Sequence, residues 1–204
     1  MNKGIILFIE GDTEEAFYKE LLKNIRSLCG NNRFHLSKVI MKNLKGIGNY
    51  KKKVYRVFND IISKNSKIVF KVFLCYDSDV FEFSKKPPVT WKEVDKILIE
   101  NGAKKIIHIK AKKSIEDWFL NDLAGICSYL KLPYNTKSIG SDSIKRLEYL
   151  FRKANKVYIK GRANDFVESL NIKKIMKSVC CEIKPLCKEL GVKCNGMPCK
   201  CDDS

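Results

Sequence analysis

Short apolar runs closed by polar turns alternate along this chain with segments whose apolar residues recur every three or four positions. Lys3 to Ile9 is a compact, mostly branched apolar run, the pattern of a buried strand. Glu10-Gly11-Asp12-Thr13 is the turn out of it, with Gly11 permitting a sharp bend and Thr13 expected to cap the next helix. That helix runs from Glu14 to about Leu28, with Ala16, Phe17, Leu21, Leu22 and Ile25 on one face. His35 to Met41 reads as a second strand, and Gly46-Ile47-Gly48-Asn49 as a turn. Tyr50 to Ser63 reads as a basic amphipathic helix, apolar at Val54, Val57, Phe58, Ile61 and Ile62. Lys67 to Tyr76 (KIVFKVFLCY) is the most strand-like segment and ends in Asp77-Ser78-Asp79. A loop at Ser84 to Pro88 precedes a helix from Trp91 to Asn101, which Gly102 stops. Lys105 to Lys110 is a further strand, and Ile115 to Leu130 a helix with Glu116 in its first turn. Ser143 to Asn155 and Ile172 to Leu190 read as helices, and the last dozen residues carry no periodicity.

Strands alternating with helices predict an α/β fold, a mostly parallel sheet flanked by helices. In open sheets of that kind, sites lie beyond the carboxyl ends of the strands. Glu10, Asp77 and Asp79 all stand at such ends. The 204 residues suit one α/β domain, or a domain with a small appendage, and 45% hydrophobic residues suffice to fill a core. The length excludes a polymerase or a topoisomerase with its strand-gate domains. No apolar run approaches the roughly 20 residues of a membrane span. Ile5 to Ile9 follows only Lys3 and runs into acidic residues, so it reads neither as a signal peptide nor as an anchor, and the cytoplasm is the expected compartment.

Charge narrows the choice of partner. Lys and Arg number 40 against 23 Asp and Glu, a formal net charge of +17. Such a surface gathers polyanions, and nucleic acid is the commonest of them. From Leu36 to Asn59 there are seven basic residues and no acidic one, and Lys104 to Lys113 adds five more. Lys45, Lys51, Lys52, Lys53 and Arg56, with Tyr50 and Tyr55 beside them, are candidates to track a phosphate backbone, and Lys112 and Lys113 join them. The bland alternative is a solvated face on a lysine-rich chain.

The carboxylates, in contrast, come in tight groups. Glu10 and Glu14 are four apart, so one helical turn brings them to the same side. Asp77 and Asp79 alternate directly after a buried strand and share one direction at its mouth. Ser114 is placed as an N-cap, with Glu116 in the first turn behind it. Taken singly, each group also fits an ordinary helix start or turn. Carboxylates crowded together repel unless a cation neutralises them, and Mg²⁺ or Mn²⁺ prefers such oxygen ligands.

In FIEGDTEEAFYKELL, LCYDSD and SIEDWFLND the chain resembles a Toprim domain. More narrowly, it is similar to the Toprim endonucleases of the overcoming-lysogenization-defect (OLD) type and their small stand-alone relatives in phage defence. The family pattern is a strand ending in E-G-x-x-E, a strand ending in D-x-D, then S-x-E before a helix. Glu10 and Glu14 match the first, Asp77 and Asp79 the second, Ser114 and Glu116 the third. The chain departs from the pattern after D-x-D, where no glycine follows until Gly102. The resemblance implies a Rossmann-like Toprim domain over residues 1–125 with a helical extension over 126–190, and the cysteines mark 191–204 as a separate tail. It further implies a Mg²⁺- or Mn²⁺-dependent nuclease with two ions, Glu10, Asp77 and Asp79 on one and Glu14 and Glu116 on the other. Glu10 is either a ligand or the general base. A lysine from the extension belongs to the family site, and Lys160 in VYIKGRANDF is its best match here. DNA and RNA both remain open as substrates. The alternatives are an RNA-processing enzyme like ribonuclease M5, and a latent nucleic-acid-binding subunit of an ATPase partner.

Nine cysteines, six of them after residue 179, are an odd and crowded set that argues against a secreted disulfide framework. Cys194, Cys199 and Cys201 are crowded like metal ligands, but C-x₄-C-x-C matches a structural zinc site only in part. Either they bind zinc or they form a metal-free tail. His108, within KIIHIK, is expected to be a satisfied structural histidine. Gly46-x-Gly48 lacks the Lys-Ser/Thr of a P-loop.

Overall fold

The computed structural model describes residues 2–29, 33–79, 81 and 87–192. Among these, four strands form one wholly parallel sheet: β1 (Asn2–Ile9), β2 (Lys38–Asn43), β3 (Ile68–Asp77) and β4 (Lys105–Ala111), in the order β2-β1-β3-β4. The α/β class is thus borne out. β1 aligns with β3 so that Ile9 lies opposite Cys75, and β3 aligns with β4 so that Asp77 lies opposite Ala111. The chain steps from β1 to one neighbour and returns to add β3 on the other side. The crevice at the carboxyl ends of β1 and β3 is therefore the topological switch point.

Alternation along the strands feeds two cores. Ile5, Leu7, Ile9, Phe73, Cys75 and Ile109 face one side, against the helix α1 (Asp12–Leu28) and a cluster that continues to Leu190. Ile6, Phe8, Phe70, Val72, Leu74 and Tyr76 face the other. There they meet α2 (Asn49–Lys52), α3 (Val54–Ser63) and α4 (Trp91–Glu100) through Tyr50, Val54, Phe58, Val94 and Leu98. Gly4 has a steric reason in this arrangement: a Cβ there would lie 2.6 Å from the Phe70 ring.

The remaining helices are α5 (Ile115–Phe119), a 3₁₀ turn (Leu120–Asp122), α6 (Leu123–Leu130), α7 (Ser143–Lys153), α8 (Asn164–Glu168), α9 (Ile172–Ser178) and α10 (Cys180–Glu189). Several differ from the sequence expectation. β2 begins three residues late, and Asp77 is the last residue of β3 rather than the first of a turn. The basic helix breaks at Lys53, where φ is −120°. The segment Ile115 to Leu130 divides into three, and the last long helix breaks at Val179. None of the described helices is long and apolar enough to cross a membrane.

Candidate metal centre

Strand ends and two helix starts carry the acidic residues to one place. Glu10 leaves β1, and its Oε2 accepts the backbone N–H of Asp77 at 3.3 Å, tying the two strand ends together. Asp77 is 1% exposed, and its Oδ1 accepts the N–H of Ile115 at 2.9 Å. Asp77 therefore caps α5 from across the sheet. Ser114 sits in the N-cap position, buried, but its side chain makes no capping bond. This corrects the expected cap: the first-turn donor is met by a carboxyl oxygen from β3.

The start of α1 holds a second correction. The helix begins at Asp12 with Gly11 as N-cap and no side-chain cap. Thr13 lies inside the helix, fully buried, and its Oγ1 accepts the N–H of Gly161 at 2.8 Å. Gly11 is extended, with φ −147°, so a left-handed turn does not explain it. Space does: a Cβ at Gly11 would stand 2.8 Å from Oε2 of Glu14. Glu14, 3% exposed, is pressed into the site by its own helix start.

Lys160 completes the cluster. Its Nζ lies 3.4 Å from Oδ2 of Asp77, 3.8 Å from Oε1 of Glu116 and 3.9 Å from Oε1 of Glu14. Burial pushes the carboxyls of Glu10, Glu14 and Asp77 upward, with their mutual repulsion adding to it; Glu14 reaches about 7. Burial works against the Lys160 charge, but the carboxylates outweigh it and hold the ammonium firmly protonated. Asp79 is half-buried, and its charge lies close enough to Glu10 to raise the pKa of that residue. Its backbone N–H reaches the carbonyl of Lys113, which also accepts Ser78 N–H.

The sequence-nominated residues Glu10, Glu14, Asp77, Glu116 and Lys160 are therefore assembled at the switch point, with Asp79 and Ser114 on its border. Among the described residues, no three acidic, histidine or cysteine side chains already surround one point as a metal cage. The carboxylates converge on an ammonium instead. Two of their buried oxygens, Oε1 of Glu14 and Oε2 of Glu116, accept no hydrogen bond. Buried carboxylate oxygens without a hydrogen bond fit a divalent cation of the Mg²⁺ or Mn²⁺ kind. Tyr158 is a member of this cluster that sequence reasoning misses. Its hydroxyl donates to Oε1 of Glu116 at 3.1 Å. The available signal is the alternation Val-Tyr-Ile-Lys, which puts Tyr158 on the same side as Lys160.

The basic candidates surround this centre unevenly. Lys52, Lys53 and Arg56 are exposed, as are Lys112 and Lys113. Lys51 leans toward Glu93 at 3.8 Å, and Lys45 is bonded to Asp12. Tyr50 is not available to nucleic acid, contrary to expectation. It is fully buried, and its hydroxyl lies within hydrogen-bonding distance of the carbonyls of Phe8 (2.9 Å) and Cys75 (2.5 Å), its one proton shared between them. His108 is satisfied, with Nε2 3.1 Å from Asp95 and Nδ1 3.3 Å from the Tyr76 hydroxyl. Cys194, Cys199 and Cys201 lie outside the described residues, and Cys181 is disulfide-bonded.

No protein-family model matches this chain, and no curated protein does. Among solved structures, the C-terminal region of the Xanthomonas campestris pv. campestris OLD protein is similar to it at 16% identity, with a TM-score of 0.37 over 92% of this chain and 97% of that one.

Proposed function

We propose that this protein is a divalent-metal-dependent nuclease that hydrolyses phosphodiester bonds of DNA or RNA, acting in defence against phage or plasmids. The observation that carries the chemistry is the convergence of Glu14, Asp77 and Glu116 on Lys160 at the switch point, with Glu10 tied to Asp77 and two buried carboxylate oxygens that accept no hydrogen bond. Glu10, Glu14, Asp77, Asp79 and Glu116, with Ser114 at the border, would hold Mg²⁺ or Mn²⁺. Bound there, the metal supplies Lewis-acid polarisation of the phosphate and a lowered pKa for water. The chain's own residues do the rest. Glu10 is either one of these ligands or the general base that takes a proton from the attacking water. Lys160 offers a fixed positive charge to the phosphate as negative charge develops.

The test is cleavage of plasmid, single-stranded DNA and tRNA with Mg²⁺ or Mn²⁺. The wild type is expected to cut at least one of them. Chelator should abolish cutting, and Glu10→Ala should slow it by about 10²-fold or more. Cutting that survives chelator would overturn the proposal.

The exposed basic residues carry a second prediction. Combined substitution of Lys52, Lys53 and Arg56 by alanine should flatten the dependence of log affinity on log salt by about 0.9 for each phosphate of duplex DNA that is no longer neutralised. Filter binding across a salt series measures it. An unchanged slope would mark these residues as a solvated face.

A latent subunit awaiting an ATPase is the alternative reading, and one observation favours it: the Lys160 ammonium fills the space among the carboxylates. A wild-type chain that binds the panel but cuts none of it would select that reading.

A further inference from the structure

Between α7 and α8 the chain crosses the site as a strap, residues 154–163, without regular structure. Its side chains alternate. Val157 and Ile159 are exposed, while Tyr158 is buried and Lys160 reaches inward to the carboxylates. Three bonds pin the inward side. Tyr158 donates to Glu116, Lys160 spans its three acidic partners, and Gly161 N–H donates to Thr13. The bond to Thr13 ties the strap to the start of α1. Gly161 takes φ 89°, a conformation that suits glycine and lets its N–H face Thr13.

Glu116 has no exposed surface at all. A buried carboxylate needs hydrogen-bond partners for its oxygens. The Tyr158 phenol provides one as a neutral donor, without adding a second positive charge that would repel an incoming cation. It takes Oε1 and leaves Oε2 bare. The ring does not depend on that bond for its place: it packs against Phe151 at 5.3 Å and Phe166 at 6.1 Å between centroids.

We propose that Tyr158 is a positioning residue, holding Glu116 by Oε1 so that Oε2 is presented to a divalent cation, with Thr13 anchoring the strap through Gly161. This rests on the metal-centre reading of the site. The experiment is Mn²⁺ binding to the full chain by isothermal titration calorimetry, for the wild type, Tyr158→Phe, Glu116→Gln and the double variant. Tyr158→Phe keeps the ring and should weaken Mn²⁺ binding by about 10-fold or more, the usual effect of an outer-shell partner. Its thermal unfolding without metal should stay close to wild type. In the Glu116→Gln background the same change should cost almost nothing further, because Tyr158 acts through Glu116. Thr13→Val should show a smaller loss in the same direction, and it serves if the Tyr158 variant folds poorly. A wild type that binds no Mn²⁺ overturns the metal reading and this inference with it. A wild type that binds, beside a folded Tyr158→Phe of equal affinity, overturns this inference alone. So does a loss of equal size in both backgrounds.

Discussion

Asp77→Asn should make the metal-free protein more stable and at the same time remove its cleavage activity. The two effects have one cause. Asp77 is buried beside Glu14, Glu116 and Glu10, with a single lysine to offset them. Burial first, then the Glu14 charge, raises its pKa well above the ordinary 3.8. At pH 7 the folded protein therefore either keeps a strained carboxylate or binds a proton that the unfolded chain would release. The second course costs about 1.36 kcal/mol per pH unit, or roughly 4 kcal/mol between the ordinary pKa and pH 7, which is the ceiling on what asparagine relieves. Asparagine keeps the oxygen that accepts Ile115 N–H, so the start of α5 survives. A gain of about 1–3 kcal/mol is expected, read by denaturant unfolding in chelator. Cleavage with Mg²⁺ or Mn²⁺ should fall by about 10²–10³-fold or more. A variant less stable than wild type without metal would show that the carboxylate cluster is not strained, and the metal proposal would lose its main support.

The same cluster shows how far the sequence alone is legible. Glu10 and Asp77 can be placed because each closes a branched apolar run, and a parallel sheet sends such ends to one edge. Glu116 follows from a helix start after the next strand. The sequence does not reveal that Asp77 belongs to the strand and caps α5, because a cap supplied across 38 residues leaves no local trace. Thr13 misleads for a related reason. A threonine at a helix start ordinarily caps it, but here its oxygen serves Gly161, 148 residues away. Helix breaks at Lys53 and Val179 are invisible because the apolar periodicity runs through them. Tyr50 reads as a surface aromatic by its basic neighbours, whereas its hydroxyl bonds two strand carbonyls inside the core.

Lys160→Met should destabilise the metal-free protein in a manner that grows with pH and that Mn²⁺ reverses. In the wild type, burial raises Glu14 from 4.5 to about 7. Between those values the folded state binds more protons than the unfolded one, so stability is full below pH 4.5 and is lost as pH climbs through 7. For Glu14 alone the loss has a ceiling of about 3 kcal/mol. Lys160 limits that loss, because its ammonium offsets the charge of Glu14, Asp77 and Glu116. Methionine keeps the stem of the side chain and removes the charge, so the carboxylates titrate later and the pH-dependent decline extends above 7. Lys160 is 45% exposed, which discounts its contribution, and about 2 kcal/mol at pH 8 is expected, with much less at pH 5. A bound cation replaces the missing charge: Mn²⁺ at 100 times its Kd contributes about 2.7 kcal/mol. Denaturant unfolding at pH 5 and pH 8, with and without Mn²⁺, measures all four states. A loss of stability independent of pH would make Lys160 a packing residue, and failure of Mn²⁺ to restore it would deny that the cation and the ammonium serve the same carboxylates. Restored stability should leave cleavage about 10²–10³-fold down, since the ion replaces the ammonium as a counter-charge and not as the group facing the phosphate.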